Sequence, residues 1–140
     1  MFRPIPIRMP LVLSSAGMSA RQDAFVTHVL DQLDAVGPVR ARAMFGGFGL
    51  YLRGVMFALI ADETLYFKTD TVNRGAFEEA GMGPFVFESK GRKIATSYHQ
   101  APPDTLEDAE ALAELARGAY AAAQRVKAAG PRRPRGRRSA

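Results

Sequence analysis

The stretch from Met44 to Asp70, MFGGFGLYLRGVMFALIADETLYFKTD, constrains the fold more than any other part of the chain. Its apolar runs are cut by two short breaks, Arg53-Gly54 and Asp62-Glu63, too close together for helices of ordinary length. Phe48, Leu50 and Leu52 alternate with Gly49, Tyr51 and Arg53, the period of a half-buried strand. The next run, VMFALIA, is almost continuously apolar and reads as a central strand covered on both faces. In TLYFK, Leu65 and Phe67 point one way, Tyr66 and Lys68 the other. A meander of three or four antiparallel strands follows.

The glycines of this stretch do not make a phosphate loop. GGFGLYLRG has neither the Walker spacing nor Gly-x-Gly-x-x-Gly, and the element after it is another strand, so no helix N-terminus is on offer to an anion. The architectural reading is that Gly46 and Gly47 supply positive φ in a tight connection. Gly49 then permits a bulge or close packing beneath a ring, and Gly54 closes a hairpin.

Helical periodicity flanks the meander. SARQ, from Ser19, has the form of a capping box, and Phe25, Val26, Val29, Leu30, Leu33 and Val36 recur on one face until Gly37 and Pro38 stop the helix. After the meander, Asp70 is placed to cap a short helix, TVNRGAFEEA, with Val72, Ala76, Phe77 and Ala80 on its apolar face and Gly81 at its end. A second hairpin has Phe85 and Phe87 in one arm, Ser89 to Arg92 as its loop, and Ile94, Thr96 and Tyr98 in the other. Asp104 or Thr105 is then expected to cap a long alanine-rich helix carrying Leu106, Ala109, Leu112, Ala113, Ala116, Tyr120 and Ala123 on one side, stopped by Gly130 and Pro131. The fold class predicted is α+β, a two-layer sandwich in which helices face one antiparallel sheet of five to six strands, in the order α-β(3-4)-α-β(2)-α.

A chain of 140 residues, 47% hydrophobic, is the size of one domain. Residues 18–130 are expected to form it. Residues 1–17, with an apolar part too short for a secretory signal, read as a disordered extension or a misassigned start, translation beginning at Met18. Residues 131–140 read as a disordered arginine-rich tail. The net charge of +5 lies at the ends: five arginines (Arg132, Arg133, Arg135, Arg137 and Arg138) occupy the tail, and the segment from Met18 to Gly130 is slightly acidic. No cysteine is present, which removes thiolate metal sites and cysteine nucleophiles. No apolar run reaches the ~18 residues of a spanning helix, and a cytoplasmic location is expected.

Catalytic chemistry is thinly supplied. His28 falls on the outer face of the first helix, and His99 follows a strand end, where ring packing or a loop hydrogen bond is the plain expectation. Glu78 and Glu79 are adjacent and diverge by about 100° on a helix. Glu107, Asp108 and Glu110 suit a helix start. No catalytic, metal or cofactor site is expected. Phosphate contact is better provided for: the tail arginines alone would give a slope of log affinity against log salt on the order of −4.5 on duplex DNA, and Lys90, Arg92 and Lys93 flank a hairpin turn as a basic wing. Whether these join Arg40, Arg42, Lys68 and Arg74 is not fixed by sequence, and a scattered, solvated set is the plainer arrangement. The competing class is a protein-interaction module, with Tyr51, Tyr66 and Tyr98 on outward strand positions and a homodimer through a sheet edge as an equal option.

MFGGFGLYLRGVMFALIADETLYFKTD, followed by PFVF, YHQAPPDTLED and an alanine-rich terminal helix, closely resembles the N-terminal domain of the TfoX/Sxy competence regulators, from about Ser19 to Ala128. The motif residues are Met44, Phe45, Gly46, Gly47, Gly49, Gly54, Phe67 and Lys68. The resemblance implies a YjbR-like α+β domain, a role in regulating genes for DNA uptake, and a protein partner such as the transcription machinery or a cyclic AMP receptor protein-like regulator. Full-length regulators carry a second, helical domain where this chain has PRRPRGRRSA, and often Asp-Gly or Asn-Gly where it has Arg53-Gly54.

Overall fold

The computed structural model describes residues 17–44 and 46–129, with side chains from residue 22. Phe45, Gly130, Pro131, the expected N-terminal extension up to residue 16 and the arginine tail lie outside the described residues.

Among the described residues six strands form one antiparallel sheet: β1 (Val39–Met44), β2 (Gly47–Leu52), β3 (Val55–Ala61), β4 (Thr64–Lys68), β5 (Pro84–Ser89) and β6 (Arg92–Gln100), in the order β1-β2-β3-β4-β6-β5. The expected meander is β1 to β4. Its turns follow the right-handed twist of the strands because their residues adopt positive φ: Arg53 and Gly54 at 50° and 81°, Asp62 and Glu63 both at 56°. The β5–β6 turn is Lys90-Gly91 alone, at 54° and 76°, so Ser89 and Arg92 pair with each other as strand residues instead of sitting in the loop.

The helices α1 (Gly17–Gln32), α2 (Arg74–Glu79) and α3 (Ala109–Ala129) accompany the sheet. Leu50, Leu52, Phe57, Ala58, Ile60, Leu65 and Phe67, each at most 1% exposed, meet Val26, Val29 and Leu33 of α1, Phe77 of α2, and Leu112, Ala116, Ala119 and Ala123 of α3 in one core. The small side chains of α3 let that helix lie close on the central strands. Tyr120 and Phe57 meet edge to face at 6.2 Å, and Phe57 stacks on Phe67 at 6.4 Å.

The apolar run of β3 has a different cause from the one expected. Leu50 pairs with Ala58 but Tyr51 with Met56, so Phe57 is an extra residue that bulges the strand, and Phe57 and Ala58, neighbours in sequence, are both fully buried. Met56 and Leu59 are only half-buried, on the other face. The strand is therefore covered by helices on one face, not two.

Several expected helix starts move. α1 already includes Gly17 and Met18, which places Ser19 inside the helix rather than at its cap. α2 is one turn shorter than predicted: Asp70 Oδ1 accepts from Val72 N at 3.0 Å and its carbonyl from Arg74 N, holding residues 71–73 as turns ahead of the helix. Only Phe77 of its expected apolar face is buried, and Val72 is 70% exposed. Its end at Gly81 is as predicted, with Gly81 N bonded to Glu78 O and Met82 N to Phe77 O. Leu106 belongs to a separate 3-10 turn, Pro103–Glu107, and α3 is capped by Asp108, whose Oδ1 accepts from Ala111 N at 3.1 Å. Asp104 and Thr105 lose that role because Thr105 Oγ1 instead donates to Pro102 O at 2.6 Å.

Of the Gly46-Gly47 pair, Gly46 alone has positive φ, at 77°. Gly47 is required for a different reason: a Cβ there would stand 2.2 Å from the backbone oxygen of Ile60 on the neighbouring strand.

Candidate interaction surface

Directly paired strand residues point to the same face of a sheet, so the register assigns each side chain. One row opposite the core runs Arg42, Gly49, Leu59, Tyr66 and Gln100 across β1, β2, β3, β4 and β6. Arg40, Tyr51 and Met56 form a second row, and Lys68 with Tyr98 a third pair. The helices pack on the other face, so among the described residues no element covers this one.

The rings and cations of this face are placed against each other. The Arg42 guanidinium lies 5.5 Å from the Tyr51 ring centroid and Lys68 Nζ 5.1 Å from that of Tyr98, while Lys68 also donates to Ser97 Oγ at 2.6 Å. Tyr66 meets Phe85 at 5.0 Å, and Phe85 stacks on Phe87 at 6.3 Å, which carries the aromatic surface out to β5. Gly49 forms part of the floor: a side chain there would run into Met44 Sδ, Tyr51 Cε1 and Met56 Cε at 2.9 to 3.2 Å. A groove of about 560 Å³ opens at the β1 side, lined by Pro38, Arg40, Ala41, Arg42, Tyr51, Arg53 and Gly54. Burial, with a smaller effect from Tyr51, pushes the Tyr98 phenol up to about 12, and burial with the charge of Asp62 raises that of Tyr66. Both hydroxyls stay protonated at neutral pH.

The three tyrosines thus occupy the outward positions expected of them. The basic residues are less scattered than expected: Arg40, Arg42 and Lys68 share the helix-free face, and Arg92 alternates with Ile94 onto it. Lys93 pairs with Glu88 on the opposite side, and Arg74 belongs to α2. Lys90, Arg92 and Lys93 are all exposed. The sheet ends at β5, whose outer edge has no partner strand among the described residues, and around it Val86, Phe87 and Ile94 are 45%, 41% and 40% exposed.

The histidines serve the scaffold. His28 is half-buried rather than outward: its Nε2 lies 2.8 Å from Leu106 O, which also accepts from Gln32 Nε2, and 3.5 Å from Glu107 Oε2. His99 lies within β6, 6% exposed, with its ring on Phe77 at 6.0 Å and Nδ1 3.0 Å from Thr69 Oγ1. Thr69 Oγ1 also lies within hydrogen-bond distance of Ser97 O, at 3.0 Å, so this corner of β6 is tied to the end of β4. Desolvation lowers the His99 pKa below 6.5. Among the described residues no three His, Asp or Glu side chains gather as a metal site, and no helix is long and apolar enough to cross a membrane.

Two sets of positioning residues escaped the sequence reading. Gln22 donates to Gly46 O and accepts from Glu63 N, tying α1 to two turns of the meander. Arg125 grips Asp70 through Nε and a terminal nitrogen, at 2.6 and 2.9 Å, and holds the carboxyl at a pKa of about 2. Their partners lie 24 to 55 residues away, beyond any local pattern.

Compared with known families, residues 31–123 match the model of the TfoX N-terminal domain, which covers all six strands, α2 and most of α3. No curated protein gives a match.

Proposed function

Since the chain belongs to the TfoX N-terminal domain family, we propose that this TfoX-like domain regulates transcription of genes for DNA uptake, from the cytoplasm and without enzymatic chemistry, by contacting a protein of the transcription apparatus. The observation that carries this reading is the outer β5 edge, where unpaired backbone lies beside exposed Val86, Phe87 and Ile94. A strand edge of this kind accepts an added strand from a partner, with neighbouring apolar side chains supplying affinity.

The test is titration of purified cyclic AMP receptor protein-like regulator with the full chain, followed by biolayer interferometry, alongside transcript levels of DNA-uptake genes. Saturable binding that is lost in Val86→Lys/Phe87→Glu, together with loss of transcript response, is expected. Unchanged binding in that variant would remove β5 from the contact. Lack of any binding or transcript response would remove the reading.

The exposed Lys90, Arg92 and Lys93 favour a second contribution, contact with duplex DNA phosphates assisted by Arg132, Arg133, Arg135, Arg137 and Arg138. Anisotropy of a labelled duplex at low and near-physiological salt, with the full chain and a chain ending at Gly130, separates the tail from the hairpin.

A further inference from the structure

We propose that the helix-free face of the sheet is a stacking platform for single-stranded nucleic acid. This goes beyond the regulatory reading, which uses the outer edge of β5; the two share Phe87, so the test below is placed on Tyr51 and Tyr66, which that edge does not contain.

The charge pattern comes first. Glu88 is the sole acid in the six strands, and its pairing with Lys93 puts it on the opposite side. The strands carry four other cations, Arg40, Arg42, Lys68 and Arg92, and all four fall on the helix-free face. Asp62, in the turn beside Tyr66, stands at its rim. Such a face repels a second copy of itself, since docking face to face would oppose cations with cations. It is complementary to a polyanion.

The rings decide which polyanion. Tyr51, Tyr66, Tyr98, Phe85 and Phe87 are distributed over β2, β4, β6 and β5, so from β1 to β5 the platform extends over five strand spacings, about 24 Å. Arg42 lies over the Tyr51 ring and Lys68 over that of Tyr98, which sets phosphate contacts within the same aromatic surface, and the planar Arg42 guanidinium is itself a plane on which a base can stack. The three tyrosines and Phe85 lie half-buried, and Phe87 exposed, in a broad surface. A duplex keeps its base planes stacked inside and cannot present them to such a surface, whereas a single strand can lay unpaired bases on it. Ring faces and cations read bases and phosphates rather than the sugar, so RNA and DNA single strands are one occupant here.

The experiment is fluorescence anisotropy of labelled 12-nucleotide oligouridylate, oligothymidylate and a 12-base-pair duplex, titrated with the full chain at near-physiological salt. Both single strands are expected to bind within a few-fold of each other and at least tenfold more tightly than the duplex. Tyr51→Leu/Tyr66→Leu should weaken single-strand binding at least tenfold, whereas Tyr51→Phe/Tyr66→Phe, which keeps the rings, should retain it. Circular dichroism of both variants checks the fold. Equal affinity for duplex and single strands, absence of single-strand binding, or leucine variants that bind like the parent would overturn the proposal. So would sedimentation showing a dimer that the leucine variants abolish, because the face would then belong to a second copy.

Discussion

The two faces of the sheet are built from alternate residues of the same strands, yet they obey different rules. Toward the helices stand Leu50, Leu52, Ile60, Leu65 and Phe67, sealed from water; one position along on each strand stand Tyr51, Leu59, Tyr66 and Lys68, half in solvent. A side chain on the covered face contributes through its volume, because dense packing punishes any void. One on the open face contributes through its ring or charge. The contrast separates residues that hold the fold from residues free to serve contact.

The largest test of that contrast is Phe67→Ala, which opens a void where Phe57, Phe77 and Ala58 converge. A loss of about 3–5 kcal/mol in urea unfolding is expected. Next comes Gly47→Ala, whose Cβ would strike the Ile60 backbone; roughly 1–3 kcal/mol should be lost, against less for Gly49→Ala, which meets only side-chain ends of Met44, Tyr51 and Met56. Comparable losses at both glycines would show that the open face is as tightly packed as the strand backbone. On the open face itself, Tyr51→Leu should cost about 1 kcal/mol or less, and a loss like that of Phe67→Ala would end the distinction between the faces.

Acid should act on the covered face through His99. The folded protein binds a proton there less readily than the unfolded chain does, so the neutral ring's contribution is fully present above pH 6.5 and is lost as pH falls from 6.5 toward the lowered folded value. Urea midpoints between pH 8 and 5 should decline, and His99→Gln should flatten that decline. The smallest effect expected is at a turn: Glu63→Gly relieves a positive φ that an L side chain disfavours and should raise stability by less than about 1 kcal/mol, read as a shift in Tm.

The hairpins were legible in sequence because two-residue breaks and a period of two are local signals, and Arg53-Gly54 sits in the turn they announce. The bulge at Phe57 was not, since a continuous apolar run cannot tell a strand covered twice from one with two neighbours on the same side. Helix starts were misplaced where Asp104, Thr105 and Asp108 compete within five residues for one capping role. The outward tyrosines could be read from alternation alone. Gathering Arg40 and Arg42 with Lys68 and Arg92 required the strand order, and joining Asp70 to Arg125 required the docking of α3, neither of which is encoded within a short window.

Because α3 supplies Leu112, Ala116, Ala119 and Ala123 to the core and comes after every strand, the order of synthesis matters. As the chain leaves the ribosome, all six strands emerge before the helix that shields their central pair. Until residues near Ala123 clear the exit tunnel, Phe57 and Phe67 lack their cover, and the nascent sheet is apolar on the side that will be buried and basic and aromatic on the other. Until α3 docks, the apolar side of the central strands lacks the helix that finally seals it.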